Sequence, residues 1–161
     1  MAYKLIVYGR IEGARDPNRD RDAAYPGAVY HHNRCALEAL PDTDDEWPYL
    51  TRHMFAVASP SLEGGFDRGL FQGQIIHFGA SLKADRLDQE LQGLWLAKFE
   101  THLLKSLIWQ SAGVHFEHEL QNRATVHYKA TQESLNEALD EFRQVGSKVQ
   151  AEMDWRLSWK D

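Results

Sequence analysis

Residues 113 to 130 read GVHFEHELQNRATVHYKA, and apolar and polar residues alternate on both sides of LQNRA as they do in two adjacent β-strands. Successive strand side chains point to opposite faces, so the segment sorts its residues into two sets. Val114, Phe116, His118 and Leu120 belong with Val126 and Tyr128, while His115, Glu117 and Glu119 belong with Thr125, His127 and Lys129. A three-residue loop, Gln121 to Arg123, is expected to place Leu120 opposite Ala124, His118 opposite Val126 and Phe116 opposite Tyr128. That register keeps apolar groups together, whereas a two-residue loop would mix the faces. On the polar side it sets Glu117 against His127 and His115 against Lys129.

The flanking segments extend the pattern. Upstream, GQIIHFGASL alternates Ile76, Phe78, Ala80 and Leu82 against Ile75, His77, Gly79 and Ser81, which predicts a strand. DRLDQELQGLWLAKFETHLLKSLIWQ, 85 to 110, carries a wide stripe of Leu96, Phe99, Leu103, Leu104 and Leu107 and predicts a long central helix. Downstream, TQESLNEALDEFRQVG predicts a helix capped by Thr131 or Ser134, with Ser134 and Glu137 at capping-box spacing and Gly146 as terminator. KVQAEMDWRLSWK alternates Val149, Ala151, Met153, Trp155, Leu157 and Trp159 with polar residues and predicts the last strand. From residue 72 to 160 the order is strand, helix, strand, strand, helix, strand. It resembles the ferredoxin-like split βαβ arrangement, which implies an α+β fold with an antiparallel sheet, two helices on one face and an open second face.

The first 71 residues read as a strand, loops and short helices added to that core. KLIVYG is a strand candidate. GRIEGARDPNRDRDAAYPG has no periodicity and reads as a solvated loop. NRCALEAL, 33 to 40, predicts a brief helix capped by Asn33 and stopped at Pro41. Farther on, Leu50, Met54 and Val57 repeat at helical spacing behind Pro48, with a strand over HMFAVA as the alternative. SPSLEGGFDRGLFQG is a glycine-rich connection without the Gly-Lys-Ser/Thr ending of a phosphate-binding loop. The N-terminal part is expected to add an edge strand or to cover the open face, within a single domain spanning 1 to 161.

Three sets of residues carry chemistry. Asp42, Asp44, Asp45 and Glu46 lead into Trp47; they lack the turn glycine and distal glutamate of a calcium loop, and read as helix-capping charges or a docking patch for a partner protein. His77, His115, Glu117 and His127 project from one sheet face and are the alternative metal ligands. Lys129 beside them would repel a cation, and cross-strand charge pairs on a wet face explain the same residues without an ion, so no cofactor is assigned. Glu100 falls inside the apolar stripe of the long helix and needs a donor, His118 first, with Tyr128 or a tryptophan indole as alternative. Glu100 and His118 are the alternative acid/base pair, although a buried pair of this kind is usually structural. No serine or cysteine stands in a context that activates a nucleophile.

Composition narrows the function classes. The 161 residues are 43% apolar and 26% charged, as in a globular domain, and the formal charge of −6 disfavours nucleic acid and anionic membrane over the surface as a whole. RNA-recognition modules share the element order but stack bases on outward aromatics, where this chain has His77, Ser81, Thr125, His127 and Lys129. No run is long enough to span a bilayer, and the lone Cys35 fits a reducing, cytoplasmic setting. The expectation is a non-enzymatic bacterial protein-binding protein, of which a small acidic inhibitor or toxin-immunity protein is one version. A metal-binding, small-ligand-binding or hydrolytic protein using the His/Glu face is the alternative. A homodimer through the open face is a further partner expectation, although its charged set argues against a dry contact.

Overall fold

Along YKLIVYGRIEG, Leu5, Val7 and Ile11 are buried while Lys4, Tyr8 and Arg10 face outward, the alternation of a strand with one packed face. The computed structural model describes residues 3 to 14, 24 to 58, 74 to 84, 89 to 120, 123 to 145 and 153 to 160. This first strand is β1 (Tyr3–Gly13), followed by α1 (Ala24–Glu38), a 3-10 turn (Arg52–Met54), β2 (Phe55–Ala58) and β3 (Ile75–Ala84). Then come α2 (Gln89–Phe99), continued by a π-helical turn (Glu100–Leu104), β4 (Trp109–His118), β5 (Ala124–Ala130), α3 (Gln132–Val145) and β6 (Trp155–Lys160). The fold is α+β, with a six-stranded antiparallel sheet in the order β2-β3-β1-β4-β5-β6.

The predicted βαββαβ core over 72 to 160 would set β3 beside β5. Instead β1 lies between β3 and β4, pairing Leu5 with both Leu82 and His118. Strand β1 is therefore central, and the edge strand expected of the first 71 residues is β2. RIEG, assigned from sequence to a loop, continues its alternation and its pairing to Glu12. Gly9 makes the central position feasible: a Cβ there would stand 2.0 Å from the Gly113 carbonyl oxygen and 2.6 Å from Phe78 Cζ. The Phe78 ring occupies that space and packs on Trp95 and Phe99, at centroid distances of 5.9 and 5.3 Å. Trp95, Phe99, Phe116 and Tyr128 are all buried around it, and burial of each such ring contributes roughly 2 to 3 kcal/mol.

Strands β1, β3, β4 and β5 turn their buried residues into this one cluster, β2 adds the half-buried Phe55 and Val57, and the cluster also takes the buried faces of the helices. Helix α3 does so with Leu135, Ala138, Leu139 and Phe142 at helical spacing, and Thr131 caps it by accepting the Ser134 N–H at 3.3 Å. The predicted terminator Gly146 and the connection at 59 to 73 lie outside the described residues. Helix α1 is longer than the predicted 33 to 40, and Asn33 is a fully buried interior residue rather than a cap. Its Nδ2 donates to Gln74 Oε1 at 2.8 Å and to the Ile108 carbonyl at 3.0 Å, and its Oδ1 accepts the Ile108 N–H at 2.8 Å. Residues 52 to 58 take the strand alternative after one helical turn.

The central helix is shorter than 85 to 110. Lys105 N–H reaches back five residues to the Glu100 carbonyl, and the Trp109 indole N–H donates to the Leu104 carbonyl at 2.8 Å, where the helix ends. Strand β4 consequently starts early, and the hairpin register differs from expectation by four residues: Phe116 faces Ala124, Val114 faces Val126 and Ala112 faces Tyr128. An even shift leaves the strand side chains on their predicted faces, while Leu120, expected in the apolar layer opposite Ala124, is exposed in the turn after β4. What changes is who faces whom.

Candidate functional site

The helix-free face of the sheet can be read row by row. One row runs Ala56, His77, Arg10, Gly113, His127, Ser158 across all six strands. The next runs Gly79, Tyr8, His115, Thr125, Lys160, and the row on the other side runs Ile75, Glu12, Ser111, Lys129, Arg156. Gly113 sits in the middle of this lattice and contributes no side chain. The result is a bowl of about 470 Å³ over β1, β4, β5 and β6, floored by Gly113 and ringed by Arg10, Ser111, His115, His127, Lys129 and Arg156.

Neighbours hold the ring in place. His115 stacks on Tyr8 at a centroid distance of 5.0 Å, and its Nδ1 lies 2.9 Å from Thr125 Oγ1. His127 meets it edge-on at 6.4 Å. A methyl group built on Gly113 would stand 3.8 Å from His127 Nδ1 and 3.9 Å from His115 Nε2, so both nitrogens face the space above the glycine. Tyr8 donates to Glu117 Oε1 at 3.0 Å, and this bond, with burial and the Glu117 charge, raises the Tyr8 phenol above its usual value against the opposing Arg123. Glu117 is further paired with Arg123 at 3.1 Å, and Glu12 accepts from Ser111 at 3.0 Å while lying 3.9 Å from Arg10. Among the described residues no carboxylate lines the bowl, whereas Arg10, Lys129 and Arg156 do. In a chain of formal charge −6, this is a concentrated patch of the opposite sign.

Of the residues singled out from sequence as metal ligands, His115 and His127 come together here. Glu117 is engaged by Tyr8 and Arg123, and His77 is separated from His127 by Arg10 and Gly113, three strand spacings or roughly 14 Å. Among the described residues no group of three His, Cys, Asp or Glu side chains is placed to hold a metal ion. Glu100 does not meet His118. It accepts from the Tyr128 hydroxyl at 2.8 Å, the alternative donor, because the π-helical turn carries it toward β5. Burial first, then this hydrogen bond and the Glu100 charge, push the Tyr128 phenol far up. His118 instead accepts the Leu120 N–H through Nδ1 at 3.0 Å at the end of β4.

The acidic segment is partly structural. Asp44 receives Lys98 Nζ at 2.7 Å, the Leu50 N–H at 2.9 Å and the Glu46 N–H at 3.0 Å, and Lys98 also donates to the Glu46 carbonyl. Burial raises the Asp44 carboxyl, but these bonds and the Lys98 charge together outweigh it and leave it below the ordinary range. Asp42 pairs with Arg52 and, at 3.0 Å, with His53. The Trp47 indole donates to the Lys83 carbonyl at 3.1 Å, covering the stretch of β3 that extends past β2. Asp45, Glu46 and Trp47 remain exposed.

Sequence reasoning missed Arg10, Ser111, Gly113, Arg156 and Ser158 as parts of one site. The signal was parity alone: each lies on the polar side of its strand, but only the register brings them to one place. Comparison of the chain with protein-family models, with curated proteins and with solved structures gives no match. Among the described residues no helix is long and apolar enough to cross a membrane.

Proposed function

We propose that this protein binds a small ligand carrying a phosphate or carboxylate group, held on the open sheet face above Gly113. The observation that carries this reading is the convergence of His115 Nε2 and His127 Nδ1 on the space over a glycine, inside a ring of Arg10, Lys129 and Arg156. Arginine forks and imidazole nitrogens are the groups that oxyanions use, and the glycine leaves room for the anion to approach the backbone. Among the described residues no serine or cysteine at the bowl is held by a histidine base, and the proposal is binding. We further read β1, α1, β2, β3, α2 and β4 as a ferredoxin-like split βαβ unit, on the support of their strand order β2-β3-β1-β4, with β5, α3 and β6 as an extension. A cytoplasmic setting belongs to the same proposal, supported by the single exposed thiol of Cys35.

Titration with inorganic phosphate, followed through the histidine ring resonances, tests the binding site. The expected result is saturable shifts of His115 and His127, with His53 unmoved, and loss of both in Gly113→Val, which sets a branched side chain between the two imidazoles on the floor of the bowl. Shifts of equal size at all histidines, or none, would count against the site.

A second reading, a protein partner of inhibitor or immunity type, is favoured by Trp47, Tyr49 and Leu94, which are 42%, 46% and 46% exposed, and by the exposed Asp45 and Glu46. Its test is partner recovery with Asp45→Lys/Glu46→Lys/Trp47→Ala, in which an unchanged yield removes this surface from consideration.

A further inference from the structure

Strand β6 pairs with β5 from Ala130↔Trp155 to Thr125↔Lys160 and, among the described residues, has no strand on its other side. On its helix-side face Leu157 and Trp159 are 48% and 52% exposed, although they lie opposite the buried Tyr128 and Val126. Unpaired edges recruit further strands, and short length or proline commonly blunts them. At the far edge β2 is only four residues long, whereas β6, WRLSWK, has six and no proline.

We propose that β6 pairs antiparallel with β6 of a second copy of this chain, about a two-fold axis through Leu157, joining two six-stranded sheets into one. The sequence selects both the occupant and the register. Directly opposite residues of an antiparallel pair share a face, so only alternate registers keep the apolar sides together. Centred on Leu157, Asp154 falls opposite Lys160, Trp155 opposite Trp159 and Arg156 opposite Ser158. Centring on Arg156 sets that arginine against itself, and centring on Ser158 sets Arg156 against Lys160. Like charges directly opposite destabilise a sheet, and opposite charges and aromatic pairs stabilise it. DWRLSWK therefore complements its own reversed copy in one register and opposes it in both neighbours.

The pairing closes Leu157 against Leu157, and Trp155 against Trp159 twice, over an apolar strip that the helices leave half exposed. On the other face Arg156 of the second copy comes beside Ser158, at the rim of the bowl. The pairing stands independently of what the bowl binds.

Sedimentation velocity and cysteine trapping of the full chain test this proposal. In a Cys35→Ser background, Leu157→Cys sets two thiols opposite each other on the axis, within disulfide reach, whereas Trp159→Cys separates them by four strand positions, roughly 13 Å. The expected results are a wild-type dimer at micromolar concentration and a covalent dimer from Leu157→Cys on mild oxidation, with none from Trp159→Cys. Asp154→Lys should weaken association about tenfold, and adding Lys160→Asp should restore it. Circular dichroism matched to wild type establishes that each variant is folded. A monomeric wild type, equal cross-linking of the two cysteine variants, or a charge swap without rescue would overturn the proposal.

Discussion

Replacing Gly9 with alanine tests whether β1 belongs at the centre of the sheet. The added methyl carbon would stand 2.0 Å from the Gly113 carbonyl oxygen, 2.6 Å from Phe78 Cζ and 3.0 Å from the Gly113 carbonyl carbon. A relaxed carbon-to-oxygen contact is about 3.3 Å, so the backbone contact alone falls short by more than about 1 Å. Phe78 has Trp95 stacked and Phe99 tilted against it, so its ring has little room to withdraw. Strands β1 and β4 would have to part by a distance that ladder hydrogen bonds do not survive. Overpacking at roughly 2 to 3 kcal/mol, plus one or two weakened ladder bonds at about 1 kcal/mol each, gives an expected loss of about 4 kcal/mol. That is a large share of a domain's roughly 5 to 15 kcal/mol. Urea unfolding followed by tryptophan fluorescence measures it. Gly93→Ala is the control: nothing lies within 4 Å of a Cβ there, on the exposed face of α2, and helix propensity predicts a gain of about 0.5 to 1 kcal/mol. The same chemical change should thus have opposite signs at two glycines. A Gly9→Ala midpoint equal to wild type would refute the placement of β1 between β3 and β4.

Three further outcomes are expected. Asn33→Leu strands the Ile108 N–H and carbonyl and the Gln74 amide oxygen, and should lower unfolding free energy by about 3 kcal/mol in the same urea assay. Asp44→Ala should cost about 2 kcal/mol at neutral pH. Because the folded Asp44 carboxyl lies below its unfolded value, its contribution is present above about pH 4 and lost as pH falls through the folded value, so wild-type and variant melting curves should converge in acid; a constant gap would contradict the sign. Tyr128→Phe should cost about 1 to 2 kcal/mol by removing the bond to Glu100. Since the folded phenol is raised, that difference should shrink as pH rises above about 10, which alkaline urea titrations would reveal.

The local pattern of this chain was legible and its long-range pairing was not. Alternation in GQIIHFGASL and in 113 to 130 gave the correct faces, since side-chain direction depends only on parity. The hairpin register slipped because the sequence suggests a three-residue loop, 121 to 123, whereas the pairing of β4 with β5 ends at Phe116↔Ala124 and leaves residues 117 to 123 to make the connection. The choice of β1 as the central strand rests on a steric fit between Gly9, Gly113 and Phe78 that no local window contains. The candidate site shares that difficulty. His115 and His127 were visible as a pair, but Arg10 sat in a stretch read as loop, Arg156 in a strand valued for its tryptophans, and Gly113 announces itself only by what it lacks.

The seat of β1 also governs the order in which the protein is made. Tyr3–Gly13 must find Ile75–Ala84 on one side and Trp109–His118 on the other, so the middle of the sheet closes only after the 95 residues between Gly13 and Trp109 have been synthesised. Pairings of such sequence separation are slow, because loop closure precedes any gain from contact. During that interval the nascent chain carries YKLIVYGRIEG with at least one edge unsatisfied. A fragment that stops before Trp109 keeps that edge permanently, and it is the form of this polypeptide that should aggregate first.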